Sequence, residues 1–181
     1  TRFDRVCSIA ARAKRLPEIE RFAAGRPVFV AGSTWPPDEE LLLGMIDRYR
    51  DVKFIVVPHE IDPDRIERLI GRIGRPALRY TQLTPETDSA EAGVLIVDTI
   101  GILSSLYRYG RWGYIGGGFG AGIHNTLEAA VFGLPLAFGP HYGKFREACD
   151  LIESGGAESI ADGAQLLEWF DRLYRDPAAT Q

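Results

Sequence analysis

The sequence predicts an α/β domain in which a parallel sheet is covered by helices on both faces. Its strand candidates, Val28–Ala31, Phe54–Val57, Val94–Val97, Trp112–Ile115 and Leu134–Phe138, are mostly continuous apolar runs, as strands buried on both faces are. Between them lie segments with apolar residues at helical spacing, the alternation that yields a parallel sheet. The length of 181 residues agrees, since a domain takes roughly 100–200. Residues 1–181 therefore read as one domain, with 1–24 as an N-terminal helical or linking segment.

Each element has its own warrant. Residues 4–24 read as helix, with Val6, Ile9, Ala10 and Ala13 on one face and Ile19, Phe22 and Ala23 on another after an interruption at Pro17. Val28–Ala31 is a strand closed by the polar turn Gly32-Ser33-Thr34. Pro36 and Pro37 suit a first helical turn, and Leu41, Leu42, Met45, Ile46 and Tyr49 continue that helix. Phe54–Val57 ends in Pro58-His59-Glu60, and Pro63 to Ile73 is the next helix. Arg79-Tyr80-Thr81 reads as a short strand and Thr84 to Gly93 as a surface loop. Val94–Val97 ends in Asp98-Thr99, followed by a helix from Gly101 to Tyr109. Trp112–Ile115 leads into a glycine-rich stretch, then a helix from Asn125 to Phe132 and the strand Leu134–Phe138. A loop at 139–143, a helix with Phe145, Ala148, Leu151 and Ile152, a strand near Glu158–Ile160 and a helix from Gly163 to Tyr174 complete the chain.

Composition removes several function classes. A net charge of -4 argues against a general nucleic-acid binder. Two cysteines, Cys7 and Cys149, are too few for a disulfide framework and fit a reducing compartment. No apolar run approaches the roughly 20 residues of a membrane span, so this chain reads as soluble. It starts with Thr1 rather than Met, and so reads as a piece of something longer. The dinucleotide pattern G-x-G-x-x-G is not met in 116–128. The sequence Gly139-Pro140-His141-Tyr142-Gly143-Lys144-Phe145 lacks the spacing and the Ser/Thr of a P-loop.

Right-handed crossovers bring all strand-to-helix turns to one edge. Ser33-Thr34, Pro58-His59-Glu60, Asp98-Thr99 and 116–128 thus converge on one crevice, where open α/β sheets bind ligands. The run Gly116-Gly117-Gly118-Phe119-Gly120-Ala121-Gly122 has few Cβ atoms to keep a ligand from the backbone. The following helix start offers unpaired N–H groups and a positive dipole end. His124, Asn125 and Glu128 add polar groups within a turn. These residues point to a phosphate-bearing ligand, best a sugar nucleotide.

The stretch 116–129, Gly133-Leu134-Pro135 and Phe138-Gly139-Pro140-His141 resemble the 3-deoxy-D-manno-octulosonic acid (Kdo) transferases of lipopolysaccharide synthesis. Thr1–Arg5, Ala31-Gly32-Ser33-Thr34-Trp35, Val57-Pro58-His59-Glu60 and Asp98-Thr99-Ile100-Gly101 match in order. Thr126 and Ala129 depart from the pattern of many members. The resemblance implies a three-layer α/β/α Rossmann-like domain, the carboxyl-terminal half of a GT-B glycosyltransferase. Thr1–Arg5 resembles the junction between the two halves. The amino-terminal half would hold the lipid A precursor and the catalytic base, leaving no catalytic residue in this chain. The donor, CMP-Kdo, is a substrate, and neither cofactor nor metal is implied. The whole enzyme would sit at the cytoplasmic side of the bacterial inner membrane.

Site roles follow from the same resemblance. Ser33, Thr34, the backbone of Gly117, Gly118, Gly120 and Gly122, and the helix start at Asn125 would stabilise the leaving phosphate. Glu128 would accept the ribose hydroxyls. Pro58, His59, Ile100 and Gly101 would frame the cytosine, and Glu60, Thr99 and His124 complete the expected substrate-binding set. From the residues alone, plainer readings stand next to these. Asn125 to Glu128 also fits a capping box, and a glycine run also serves close packing. His124 also fits a group hydrogen-bonded beneath the loop, His59 and His141 ordinary loop histidines, Asp98 a helix cap, and Trp112 with Tyr114 packing. Another GT-B enzyme using a UDP-sugar, and a non-catalytic nucleotide-binding module, stay open.

Overall fold

The computed structural model describes Asp4, Ser8 and residues 13–176. The expectations for the Thr1–Arg5 junction, Cys7 and most of residues 4–12 fall outside these. The described helices are α1 (Pro17–Ala23), α2 (Pro36–Arg48), α3 (Pro63–Arg72), α4 (Leu103–Tyr107), α5 (Leu127–Ala130), α6 (Arg146–Ser154) and α7 (Gly163–Arg175). The strands are β1 (Val28–Thr34), β2 (Lys53–Pro58), β3 (Ala77–Arg79), β4 (Val94–Ile96), β5 (Trp112–Ile115), β6 (Leu136–Phe138) and β7 (Ala157–Ser159).

These strands form one sheet of seven, in the order β3-β4-β2-β1-β5-β6-β7, and every pairing is parallel. Successive side chains of each strand enter opposite layers. Phe29, Ala31, Phe54, Val56, Val94, Ile96, Trp112 and Tyr114 join the core beneath α2, α3 and α7. Val28, Val30, Ile55, Val57, Leu95, Val97, Ile115, Leu136 and Phe138 join the other, beneath α1, α4, α5 and α6. The rings of Phe29 and Phe170 meet edge to face at 5.5 Å, a geometry worth about 0.5–1.5 kcal/mol beyond buried area. The expected three-layer parallel sheet is the observed one.

Several boundaries move for identifiable reasons. Pro17 opens α1 rather than interrupting a longer helix, because proline fits a first turn whose N–H has no partner anyway. The expected turn at Gly32-Ser33-Thr34 is instead the end of β1. The strand expected at 79–81 is Ala77–Arg79, followed by a single 3₁₀ turn at Tyr80–Gln82. The helix expected over 125–132 contracts to the four residues of α5, and a turn with Gly133 at φ 71° follows it.

The chain passes from β1 to β2 on one side, then returns after β4 to place β5 on the other side of β1. The carboxyl ends of β1 and β5 therefore flank the point where strand order reverses. That is where open parallel sheets form a ligand crevice.

Candidate functional site

Two loops make the crevice, and their backbones touch. Ser33, at the end of β1, has φ 53°, a conformation costly for a residue with a side chain and one that collects at functional sites. The pairing of β1 with β2 shifts register between Gly32 and Thr34, a bulge that accommodates the strained residue. Across the crevice, Gly116 donates its N–H to the Gly32 carbonyl at 2.9 Å. A Cβ on Gly116 would lie 2.1 Å from the Ser33 carbonyl oxygen. Gly118 and Gly139 are in similar contact, with a Cβ on Gly118 lying 2.6 Å from the Gly139 backbone.

The glycine loop is largely hydrogen-bonded to itself and to its surroundings. Gly117, at φ 95°, donates its N–H to Asp38 Oδ2 at 3.1 Å. Its carbonyl accepts from the Gly120 and Gly122 amides at 3.1 and 3.2 Å. His124 donates its N–H to the Gly116 carbonyl at 3.1 Å. Gly116, Gly117 and Gly118 are buried, whereas Gly120 is exposed. This corrects the expectation of bared amides along the whole stretch: its first half is close packing between neighbouring loops, and only the tip faces outward. The dipole expectation is corrected too, because four residues of α5 sum few peptide dipoles. Asn125, an exposed residue, accepts the Leu127 N–H through Oδ1 at 2.8 Å, which satisfies one donor of that short helix.

Trp35 and Asp38, neither assigned a role from sequence, organise the floor. Asp38 is 1% exposed. It accepts the Trp35 N–H at 2.9 Å and the Tyr114 hydroxyl, in addition to Gly117. Tyr114 is thus more than the packing group expected, and burial followed by the Asp38 charge pushes its phenol far above the ordinary range. The Trp35 ring stacks on His59 at 4.7 Å, and His59 stacks on His124 at 4.2 Å. Trp35 donates its Nε1–H to His124 Nε2 at 2.9 Å, so a neutral His124 carries its proton on Nδ1. Burial, and then the neighbouring His59, hold His124 below the usual imidazole value, with Asp38 opposing. The signal for Asp38 lay in its place at the third position of a helix that begins Pro36-Pro37, where a carboxylate reaches back to the Trp35 N–H.

A cavity of about 370 Å³ lies between the start of α2 and the glycine loop, lined mainly by Trp35, Pro36, Asp38, Phe119, Gly120 and His124. A second, of about 540 Å³, lies on the far side of the loop against Asn125, Thr126, Phe145 and Glu147. Neither lining includes lysine or arginine. His141, beside them, donates its N–H to the Gly118 carbonyl at 2.9 Å and meets the Gly120 carbonyl through Nδ1 at 2.6 Å.

The remaining expected residues divide. Thr34 is fully buried and donates its hydroxyl to Glu39 at 2.8 Å, so its side chain turns away from the crevice; Ser33 is half-buried at the rim. His59 and Glu60 are exposed, whereas Pro58 is buried. Ile100 is 82% exposed at the end of β4, beside Thr99 and Gly101, the latter at φ 93°. Asp98 does not cap a helix. It accepts the Thr81 N–H and hydroxyl at 2.9 and 2.6 Å and pairs with Arg79 at 3.1 Å. Burial pushes this carboxyl up, but those bonds outweigh it and hold it below the ordinary value. Glu128 is half-buried and its charge reaches the buried Tyr107 hydroxyl, which lies under Gly32. Ser33, His59, His124, Glu128 and the loop tip therefore share one edge of the sheet. Among the described residues no group of three or more His, Cys, Asp or Glu could hold a metal ion, and no helix is long and apolar enough to cross a membrane.

No family model matches the chain. It is 30% identical over 160 residues to a 3-deoxy-D-manno-octulosonic acid transferase of Chlamydophila psittaci, covering 87% of this chain and 36% of that protein. A transferase of the same description from Bordetella pertussis is 28% identical over 172 residues, with 88% and 39% covered. One from Aquifex aeolicus is 31% identical over 133 residues, with 71% and 36% covered. The chain thus spans little more than a third of these relatives. In fold it matches the C-terminal CMP-Kdo binding domain of WaaA from Acinetobacter baumannii, with a TM-score of 0.77 at 23% identity over 97% of this chain and 91% of that one. It also matches α,α-trehalose 6-phosphate synthase from Burkholderia multivorans, with a TM-score of 0.66 at 13% identity over 98% and 42%.

Proposed function

The chain belongs to the 3-deoxy-D-manno-octulosonic acid transferase family, and from that premise we propose that it is the donor-binding domain of such an enzyme, holding CMP-Kdo at the carboxyl edge of its sheet. The observation that carries this reading is the coincidence of the family likeness, over 87% of the chain, with a crevice at the strand-order reversal. In this reading the exposed loop tip, the Ser33 hydroxyl and the Asn125 amide face the phosphate. These donors are neutral, and neither cavity lining includes lysine or arginine. Glu128 accepts the ribose hydroxyls. Pro58, His59, Ile100 and Gly101 frame the cytosine, with Glu60 and Thr99 at the same rim.

The whole enzyme transfers Kdo to a lipid A precursor with inversion at the anomeric carbon. An acceptor hydroxyl attacks C2 of Kdo, a base of the other domain removes its proton, and the C2–O bond breaks so that CMP leaves. Donors fixed beforehand around the departing phosphate stabilise its growing charge without reorganising. On its own this domain binds donor and does not complete the transfer; the full-length enzyme works at the cytoplasmic face of the bacterial inner membrane. Titration with CMP, UMP and UDP, followed by amide shifts, tests the reading. Preference for CMP with shifts at 118–128 is expected, and preference for UDP would overturn it. Transfer from CMP-Kdo restored by adding the separately produced amino-terminal half distinguishes an enzyme part from a non-catalytic module.

A further inference from the structure

We propose that Asp38 is a positioning residue: its buried carboxylate holds the glycine loop in the shape that receives the ligand. The proposal rests on the donor-binding reading for its ligand, but its geometry stands alone. A buried carboxylate is costly unless its oxygens are satisfied. Asp38 meets that requirement with donors from three separate elements: the Trp35 N–H before α2, the Tyr114 hydroxyl of β5 and the Gly117 N–H of the loop. The Gly117 bond is the one with consequences at the surface. Gly117 sits at φ 95°, and a Cβ there would lie 2.4 Å from the Gly122 carbonyl oxygen.

The peptide plane that Asp38 holds also carries the Gly116 carbonyl, which accepts the His124 N–H, and the next plane carries the Gly117 carbonyl, which accepts the Gly120 and Gly122 amides, so anchoring Gly117 fixes the turn that carries the exposed tip. The same Asp38 oxygen takes the Trp35 N–H, and Trp35 in turn donates to His124. One carboxylate thereby sets both walls of the 370 Å³ cavity. At 1% exposure it acts chiefly through Gly117 and Trp35.

The test compares Asp38→Ala, Asp38→Asn and a control, Leu166→Ala, in the 181-residue chain. Leu166 is fully buried in α7, and its truncation lowers stability without removing any hydrogen bond of the loop. Two readouts are taken well below melting: the CMP dissociation constant, and the amide resonances of Gly117, Gly120 and Gly122 in the ligand-free protein. Asp38→Ala is expected to raise the dissociation constant at least tenfold and to shift or broaden all three resonances. Asp38→Asn should fall between Ala and the parent, since neutral hydrogen bonds are roughly half as strong as charge-assisted ones. Leu166→Ala should lower the melting temperature and leave both readouts unchanged. Parent-like affinity and resonances in Asp38→Ala would overturn the proposal, as would an equal loss of affinity in Leu166→Ala. Should Asp38→Ala fail to fold, Asp38→Asn against Leu166→Ala decides by the same criteria. If the parent chain binds no CMP, the donor-binding reading falls, while the ligand-free resonances still judge Asp38.

Discussion

Replacing Gly116 by alanine tests whether the glycine run is a packing device or a ligand cradle. The added Cβ would lie 2.1 Å from the Ser33 carbonyl oxygen, 2.7 Å from the Ser33 carbonyl carbon and 2.8 Å from Thr34 Cα. All three are backbone atoms, so no side chain can rotate away. The ends of β1 and β5 must separate by about an ångström, at the expense of the 2.9 Å bond from Gly116 N–H to the Gly32 carbonyl. Overpacking of this kind costs about 1–3 kcal/mol and a lost hydrogen bond roughly 1 more. Together they lower the melting temperature by roughly 5–15 °C in a chain of this size. Gly120→Ala is the control, because the nearest atom to its Cβ is the Gly117 carbonyl oxygen at 3.9 Å and the residue is exposed. Alanine there should be neutral or stabilising by about 0.4–1 kcal/mol, by restricting the unfolded chain. Thermal unfolding and urea midpoints at constant m-value measure both. Equal melting temperatures for the two variants would refute the packing argument.

Three further outcomes follow from single groups. Asp98 is held below its ordinary value of 3.8; an acid so depressed stabilises the fold above that value and loses its contribution as pH falls through the lower, folded-state value. Asp98→Asn should therefore cost about 1–3 kcal/mol at neutral pH and flatten the acid limb in pH-dependent unfolding; an unchanged limb would refute the Thr81–Arg79 account. His124 is held below 6.5, so the folded state binds fewer protons than the unfolded one, and stability should fall as pH drops below 6.5. Imidazole nitrogen shifts should show a neutral, Nδ1-protonated ring at pH 7, and a cationic ring at that pH would contradict the Trp35 bond. Glu128→Ala should weaken CMP binding by about 1–3 kcal/mol, the cost of unpairing buried polar groups. Unchanged affinity with a lower melting temperature would assign Glu128 to the start of α5 instead.

The layered sheet was legible because its signal is local. Val28–Ala31, Phe54–Val57 and Val94–Val97 have apolar side chains on both faces, a pattern that only a doubly covered parallel sheet can bury. The end of β1 was misread because Gly32-Ser33-Thr34 has turn chemistry. Pairing with β2 continues on either side of the bulge at Ser33 and keeps the segment in the strand. The helix after the glycine run was overestimated for a related reason: the apolar spacing of Leu127, Ala130 and Val131 persists, while Gly133 and Pro135 end the helix early.

Sequence by itself determined the strand–helix alternation, the edge at which the polar turns gather and the family likeness along most of the chain. Each is written in short-range spacing or in the order of matching segments. Only the tertiary structure decided what the glycines are for, which way Thr34 turns, and that Asp38, Tyr114 and Gly117 meet. Those facts depend on contacts between residues some 80 positions apart, such as Asp38 and Gly117 at 3.1 Å. The identity of a glycine or an aspartate names what it can donate, accept or leave room for; the sheet order decides what stands opposite it.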